Sequence, residues 1–160
     1  FARSGSNVFL TGVAFADSNR DGFYSVGEGQ GGIGFAIAGL RAATATAGGY
    51  GIGLDATGLQ RTTVAVAKEL AEPERGVVIA FDGRRGSDAF AEDAVAVLTA
   101  LGVPVHLFTR PTPTPVLAFA VKHLRTAAGI VITASHNPPE YNGYKLYAGD
   151  GAQIVPPMDE

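Results

Sequence analysis

Short apolar runs alternate with longer amphipathic stretches along the second part of the chain, from residue 58 to residue 160. The apolar runs are rich in valine and isoleucine and are bounded by glycine or proline, which predicts buried strands at 76–81, 103–108 and 129–133. Between them apolar residues recur at intervals of about three or four, which predicts helices at 62–70, 87–101 and 114–124. Ser87 is predicted to cap the second helix and Gly102 to end it.

Strand, helix, strand, helix and strand follow one another with short links, an order typical of right-handed βαβ units. The sequence therefore predicts an α/β fold with three layers, in which helices cover both faces of a parallel or mixed sheet. A hairpin around Asp150 and Gly151 is expected to complete this part of the chain, over residues 144–155.

The first part of the chain, residues 1–57, has a different pattern. Its β-type runs, at 7–15, 33–37 and 50–54, are separated by turn-forming clusters, and no helical period is visible. We predict a small β-rich segment here, followed by a separate α/β domain over residues 58–160. If the α/β domain lacks its own first strand, its sheet has an exposed edge, and the β-rich segment is a candidate to cover that edge.

Composition and charge exclude several classes of function. The 160 residues carry a net charge of −3 and no basic block, which argues against nucleic acid or an anionic membrane surface as the main partner. The lack of cysteine excludes disulfides and thiolate metal sites, and no apolar stretch is long enough to cross a bilayer. The sequence has no signal peptide. Because it starts at Phe1 without an initiator Met and ends without a helix or cap, we expect a piece of a longer protein or an artificial chimera.

Side chains that could take part in catalysis or binding are concentrated after the strand at 129–133. They lie in two motifs, T-A-S-H-N-P at 133–138 and N-G-Y-K at 142–145. Ligands of open α/β sheets bind at such strand ends. His136 adjoins Ser135, but neighbouring side chains on extended backbone point to opposite faces, so a simple Ser–His couple is not expected. A serine with backbone amides and Lys145 suits phosphate better than acyl chemistry. A polar turn that bonds only backbone explains the same residues equally well.

The two motifs resemble the phosphoserine loop of the α-D-phosphohexomutases, the phosphoglucomutase and phosphomannomutase family. The resemblance covers roughly residues 60–157, most of the first of four family domains. It implies that Ser135 is carried as phosphoserine, exchanges its phosphoryl group with a hexose phosphate and contributes an oxygen ligand to Mg²⁺. It also implies that His136 and Lys145 line the active site, for proton transfer or phosphate contact, and that Asn137 orients the loop.

Residues 81–87 resemble the family's D-x-R-x-x-S segment, which implies that Arg84 lies near the phosphoserine, where its fork suits phosphate oxygens. Two departures limit the resemblance. The family's G-x-R-G substrate loop should precede the first helix, where residues 57–61 are at best a remnant. The metal-binding D-G-D-x-D-R loop of the second family domain does not occur in the sequence. We therefore expect no mutase turnover from this chain by itself.

A second candidate site lies at residues 17–28, which match the calcium loop D-x-[DN]-x-[DN]-G-x₅-E. The flanks have the pattern of strands rather than of the helices of an EF-hand, and residues 8–37 resemble calcium-loop β-modules of secreted bacterial surface proteins. A hairpin turn that binds no ion is the alternative. The Ca²⁺ ligands would be the side chains of Asp17, Asn19, Asp21 and Glu28 and the carbonyl of Phe23.

Two functions follow from these interpretations. The first is the phosphoserine-carrying domain of a cytoplasmic phosphohexomutase that acts on a hexose phosphate. The alternative is an extracellular calcium-binding β-module joined to a non-catalytic α/β scaffold, or an artificial chimera. Convergence of Ser135, Lys145 and Arg84 would favour the first, and burial of Ser135 among apolar side chains would favour the second. The sequence does not indicate which hexose is preferred, nor the oligomeric state.

Overall fold

The computed structural model describes residues 8–13, 16, 18, 29–37, 40–44, 49–54, 56–137, 139 and 141–154. In chain order its elements are β1 (Val8–Val13), β2 (Gly34–Ile37), β3 (Leu40–Ala43), β4 (Gly49–Leu54), α1 (Ala56–Glu69), a 3₁₀ turn (Pro73–Arg75), β5 (Val77–Phe81), α2 (Ser87–Ala100), β6 (Val105–Leu107), α3 (Thr114–Leu124), β7 (Ala128–Ile132) and β8 (Asn142–Ala148). None of the helices in these ranges combines the length and apolar composition that a membrane span requires.

Six strands form one mixed sheet in the order β4-β1-β8-β7-β5-β6. β7, β5 and β6 run parallel, as the strand–helix–strand order predicts. β8 returns antiparallel to β7, with Ile132 paired to Tyr144. β1 runs parallel to β8, with Val8 paired to Asn142, and β4 lies antiparallel to β1. β2 and β3 form a separate two-stranded antiparallel sheet.

β1 and β4 thus lie along the edge that β8 would otherwise expose, the arrangement that the edge hypothesis predicts. Two strands of the β-rich segment predicted over residues 1–57, β1 and β4, therefore belong to the same sheet as the strands of residues 58–160. The predicted boundary between the two falls inside α1.

Helices cover both faces of the sheet. α1 and α2 pack on one face, where Leu59 and Leu98 belong to the same core as Ile79 of β5. α3 packs on the other face, where Val121 belongs to a second core with Val78. Since neighbouring residues of a strand point to opposite faces, β5 and β7 are buried on both sides and need apolar residues throughout. The predicted α/β fold with three layers is confirmed.

α1 begins earlier than predicted, at Ala56 rather than at Thr62. Leu59, Thr62 and Thr63 are buried at helical spacing and extend the inward face toward the N-terminus. Gly58 is a poor helix former and hides this continuation in the sequence. The interpretation of residues 57–61 as a remnant of a substrate loop is therefore wrong.

α2 ends as predicted but begins differently. Gly102 has a φ of 78°, and Val103 donates its N–H to the carbonyl of Leu98 at 3.0 Å, the pattern of a Schellman ending. At the start, Gly86 is the N-cap residue, with a φ of 81°, and Ser87 is the first helical residue. The prediction that Ser87 caps the helix is wrong, because tertiary partners engage its hydroxyl.

Candidate functional site

The carboxyl ends of β5 and β7 lie side by side, because the two strands are parallel neighbours. The chain that leaves β5 leads through α2 to β6 on one side, and the chain that leaves β7 leads to β8 on the other side. Connections that diverge in this way open a crevice between the two strands, where ligands of open α/β sheets bind. Asp82 and Arg84 follow β5 at this point, and Ser135 follows β7.

Ser135 stands exposed in the stretch from Thr133 to Tyr141, here the Ser135 loop. Its backbone is left-handed, with a φ of 53°. Its N–H donates to Oγ1 of Thr133 at 3.0 Å, and the N–H of Asn137 donates to the carbonyl of Ala134 at 3.0 Å. In the described part of the chain the Ser135 hydroxyl itself makes no hydrogen bond, so it is open to a ligand.

Arg84 reaches across from the β5 side and binds the backbone of the Ser135 loop. Nη2 donates to the carbonyl of Ser135 at 2.7 Å. Nη1 donates to the carbonyls of Asn137 at 2.9 Å and Tyr141 at 3.1 Å. Nε donates to Oδ2 of Asp82 at 2.7 Å. The predicted proximity of Arg84 and Ser135 is thus present, through carbonyl oxygens.

A network of buried polar side chains contacts Asp82. Ser87 and Asn142 are almost fully buried. The hydroxyl of Ser87 donates to Oδ1 of Asp82 at 2.7 Å and also contacts the side-chain oxygen of Asn142. Asn142 in turn donates from Nδ2 to the carbonyl of Arg85 at 2.9 Å. The start of α2, the end of β5 and the start of β8 are therefore joined by side chains next to the Ser135 loop.

Lys145 lies in β8 opposite Val131, before the point where β7 gives way to the Ser135 loop. Because Tyr144 packs against the α1 and α2 side, alternation directs Lys145 to the α3 face. Burial lowers the pKa of Lys145 below its usual 10.5, and full burial raises the pKa of Tyr144 well above its usual value. Among the described residues no hydrogen bond joins Lys145 to Ser135, so of the predicted trio the structure brings only Arg84 and Ser135 into contact.

His136 and Asn137 are both exposed on the Ser135 loop. Asn137 contributes its backbone, because its N–H closes the turn and its carbonyl accepts from Arg84. A role of its side-chain amide in orienting the loop, and a role of His136 in proton transfer, stay predictions.

A cleft of about 500 Å³ opens beside Arg84, at the carboxyl ends of β5 and β6. Its wall carries both signs of charge, from Arg84 and Arg110 and from Asp88 and Glu92. Arg84 therefore lines this cleft and also contacts the Ser135 loop.

The residues of this site do not by themselves make a metal centre. In the ranges that the structure describes, no group of three or more His, Asp or Glu side chains could hold an ion. Mg²⁺ prefers an octahedron of oxygen ligands, and Ser135 offers a single hydroxyl. The predicted calcium ligands lie outside the described residues: Asp17, Asn19, Asp21, Phe23 and Glu28.

Residues 34–160 match the family model described as phosphoglucomutase/phosphomannomutase, alpha/beta/alpha domain I. A phosphoglucomutase of Staphylococcus haemolyticus is 39% identical over 147 residues, covering 89% of this chain and 26% of that protein. A phosphopentomutase of Homo sapiens is 47% identical over 93 residues, covering 54% and 15% respectively. A crystal structure described as a putative phosphomannomutase from Thermus thermophilus matches with a TM-score of 0.57 at 42% identity, covering 61% of this chain and 23% of that chain. The chain thus spans about a quarter or less of the length of each.

The family match begins at residue 34, well before the stretch that carries the sequence motifs. Residues 39–42 read G-L-R-A, which shares three letters with the expected G-x-R-G motif. Arg41 of this stretch lies in β3 and pairs with Ala36 of β2.

Proposed function

This chain belongs to the phosphoglucomutase/phosphomannomutase family as its alpha/beta/alpha domain I, and we propose that its Ser135 carries a phosphoryl group to and from a sugar phosphate. One observation carries the proposal: Ser135 is exposed on the loop that follows β7, and the cationic Arg84 binds the carbonyl of the same residue. An exposed hydroxyl beside a fixed cation suits an anionic phosphoryl group.

In the proposed reaction a phosphoryl group passes from Ser135 to the sugar and a second one passes from the sugar back to Ser135. The bond between the Ser135 oxygen and phosphorus breaks while a sugar hydroxyl oxygen forms a bond to the same phosphorus. The sugar hydroxyl gives its proton to a base, for which His136 and Lys145 are the candidates, and the Ser135 oxygen takes up a proton as it leaves. The bisphosphorylated sugar then returns its other phosphoryl group to Ser135, which restores the phosphoserine and leaves an isomerised sugar phosphate.

Arg84, His136 and Lys145 are the proposed functional residues around the phosphoryl group on Ser135. Arg84 keeps positive charge next to Ser135, and the lowered pKa of Lys145 leaves more of its amine in the neutral form, which can accept a proton, than in an exposed lysine. Mg²⁺, when bound, would neutralise charge on the transferring group. The phosphate on Ser135 would give the ion one oxygen ligand, and the remaining ligands would come from residues other than those described.

The proposed substrate class is a sugar monophosphate. The relatives' names include a phosphoglucomutase and a phosphopentomutase, so hexose and pentose phosphates both fall within the class. We expect no steady-state turnover from the 160 residues alone, because a single Ser135 oxygen cannot hold Mg²⁺ tightly enough for repeated transfers, whereas a single loading of Ser135 proceeds in excess Mg²⁺ and sugar bisphosphate. Conversion of glucose 1-phosphate to glucose 6-phosphate by the purified chain would refute this expectation.

Donor specificity tests the proposal. The purified chain is incubated with Mg²⁺ and either glucose 1,6-bisphosphate, ATP or inorganic phosphate, and the site of phosphorylation is mapped by tandem mass spectrometry. We expect the sugar bisphosphate alone to load Ser135. Phosphate on another residue, or equal loading from ATP, would show that the Ser135 loop is not a sugar phosphate site.

A further inference from the structure

We propose that Arg84 is a positioning residue that fixes the backbone of the Ser135 loop, rather than a ligand of the phosphate, and that Asp82 fixes Arg84 in turn. The inference deepens the proposed function, since it assigns how the carrier serine is held. It departs from the resemblance, which implies that the fork of Arg84 faces phosphate oxygens.

The donors of Arg84 are almost all engaged. A guanidinium has five N–H donors, one on Nε and two on each terminal nitrogen. Nε serves Asp82, Nη1 serves the carbonyls of Asn137 and Tyr141, and Nη2 serves the carbonyl of Ser135. At most one donor, on Nη2, is left for a phosphate oxygen. A bidentate fork onto phosphate would require Arg84 to release the loop.

The conformation of Ser135 needs such support. A φ of 53° in a non-glycine residue is strained and persists only where the surroundings enforce it. Here both sides of the residue are held, because Oγ1 of Thr133 binds its N–H and Arg84 binds its carbonyl. Since the hydroxyl of Ser135 makes no hydrogen bond in the described ranges, the backbone contacts are what fix the direction of its side chain.

Asp82 is built to hold Arg84 in one place. Its carboxylate binds Arg84 twice, through Nε at 2.7 Å and through the backbone N–H at 3.1 Å. The N–H of Asp82 donates to the carbonyl of Ile132 at the end of β7, at 3.1 Å. Only 13% of the Arg84 side chain and 27% of the Asp82 side chain are exposed, so the ion pair is less screened than a surface pair. Hydrogen bonds therefore connect the end of β7 to Asp82, Asp82 to Arg84, and Arg84 to the Ser135 loop.

Fixing the loop matters for transfer, because a nucleophile misplaced by about 1 Å can lose about a hundredfold in rate. A residue that acts through the loop backbone must act before any phosphate is present. A phosphate ligand, in contrast, acts only once the phosphate has arrived. The unphosphorylated chain therefore separates the two roles.

The test is amide hydrogen exchange of the unphosphorylated chain, measured by NMR in the parent and in the variants Arg84→Gln, Arg84→Lys and Arg85→Gln. Arg85 is exposed and offers a matched arginine control. We expect the amides of Ser135 and Asn137 to exchange at least about tenfold faster in Arg84→Gln, the loss of about one charge-assisted hydrogen bond. Arg84→Lys, which keeps the charge but not the fork, should lie between, and Arg85→Gln should match the parent.

Amides of Ile79 and Val131, in the core strands, report whether a variant still folds. If they also exchange faster in Arg84→Gln, the milder Arg84→Lys decides by the same comparison. Loop amides that exchange at the parent rate in a folded Arg84 variant would overturn the proposal. Loading of Ser135 from a sugar bisphosphate is measured separately, so a parent chain that does not load would refute the proposed function while the exchange result still decides the role of Arg84.

Discussion

The hydroxyl of Ser87 lies 2.7 Å from Oδ1 of Asp82, inside the protein, and so joins the first residue of α2 to the residue that follows β5. Ser87 is fully buried, and the same carboxylate holds Arg84. A buried hydroxyl on a helix thus takes part in supporting an exposed serine on a loop that follows a different strand.

Replacing Ser87 by alanine should destabilise the protein by about 1–3 kcal/mol, because the partly buried carboxylate of Asp82 loses a donor and the buried side chain of Asn142 loses a polar contact. The measurement is the free energy of unfolding from urea titrations. Ser135→Ala is the matched control, since it also removes one serine hydroxyl, and it should change that energy by no more than about 0.5 kcal/mol. Equal effects of the two variants would show that the buried network contributes nothing.

Gly129 in β7 lies against α3 so closely that a side chain there has no room. A Cβ at this position would come within 2.5 Å of Val121 Cγ2 and 2.9 Å of Leu117 Cδ2, both in the fully buried core. Gly129→Ala should therefore cost about 1–3 kcal/mol of unfolding free energy through overpacking. Gly83→Ala, whose Cβ meets nothing within 4 Å, is the control and should stay within about 1 kcal/mol of the parent.

The half-buried Lys145 predicts a pH dependence of stability. Since burial lowers its pKa below 10.5, the unfolded chain holds this proton more tightly than the folded protein does. The charged lysine thus opposes folding below its folded pKa, and the free energy of unfolding rises as the pH climbs from there toward 10.5.

Lys145→Gln should remove this rise, so that the difference in stability between parent and variant changes across the window. Denaturant titrations at neutral pH and at steps up to 10.5 measure it, with the exposed Lys122→Gln as a control for charge removal. A parent-to-variant difference that stays constant across the window would show that Lys145 titrates alike in both states.

Calcium binding by residues 17–28 remains a proposal from the sequence, with Asp17, Asn19, Asp21 and Glu28 as the side-chain ligands. Ca²⁺ at about ten times its dissociation constant should add about 1.4 kcal/mol to the unfolding free energy. Isothermal titration and thermal melts measure it, with Glu28→Gln as the variant that loses the response. No heat and no melting shift at millimolar Ca²⁺ would remove the site.

The sequence predicted the α/β core well because its strands are continuous apolar runs separated by short links. The helix α1 began too late in the prediction, since Gly58 interrupts a pattern that Leu59 and the buried threonines continue in space. The strand β3 was missed because its residues, L-R-A-A, carry no strand period of their own and pair only with β2.

The sequence likewise predicted some features of the candidate site and not others. The motif around Ser135 was visible as a run of letters, and its exposure at a strand end follows from the βαβ order. The role of Ser87 was not visible, because a serine at a helix start ordinarily indicates a cap and only the fold brings Asp82 and Asn142 to it. The carbonyl partners of Arg84 were equally hidden, since they depend on the path of a loop about fifty residues away in the chain.

The central claim is that the hydroxyl of Ser135 accepts the phosphoryl group, and intact mass measures it most directly. The parent chain and Ser135→Ala are weighed before and after incubation with glucose 1,6-bisphosphate and Mg²⁺. The account predicts that the parent gains the mass of one phosphate and that Ser135→Ala gains none. A parent that gains no mass, or an alanine variant that gains as much as the parent, would contradict it.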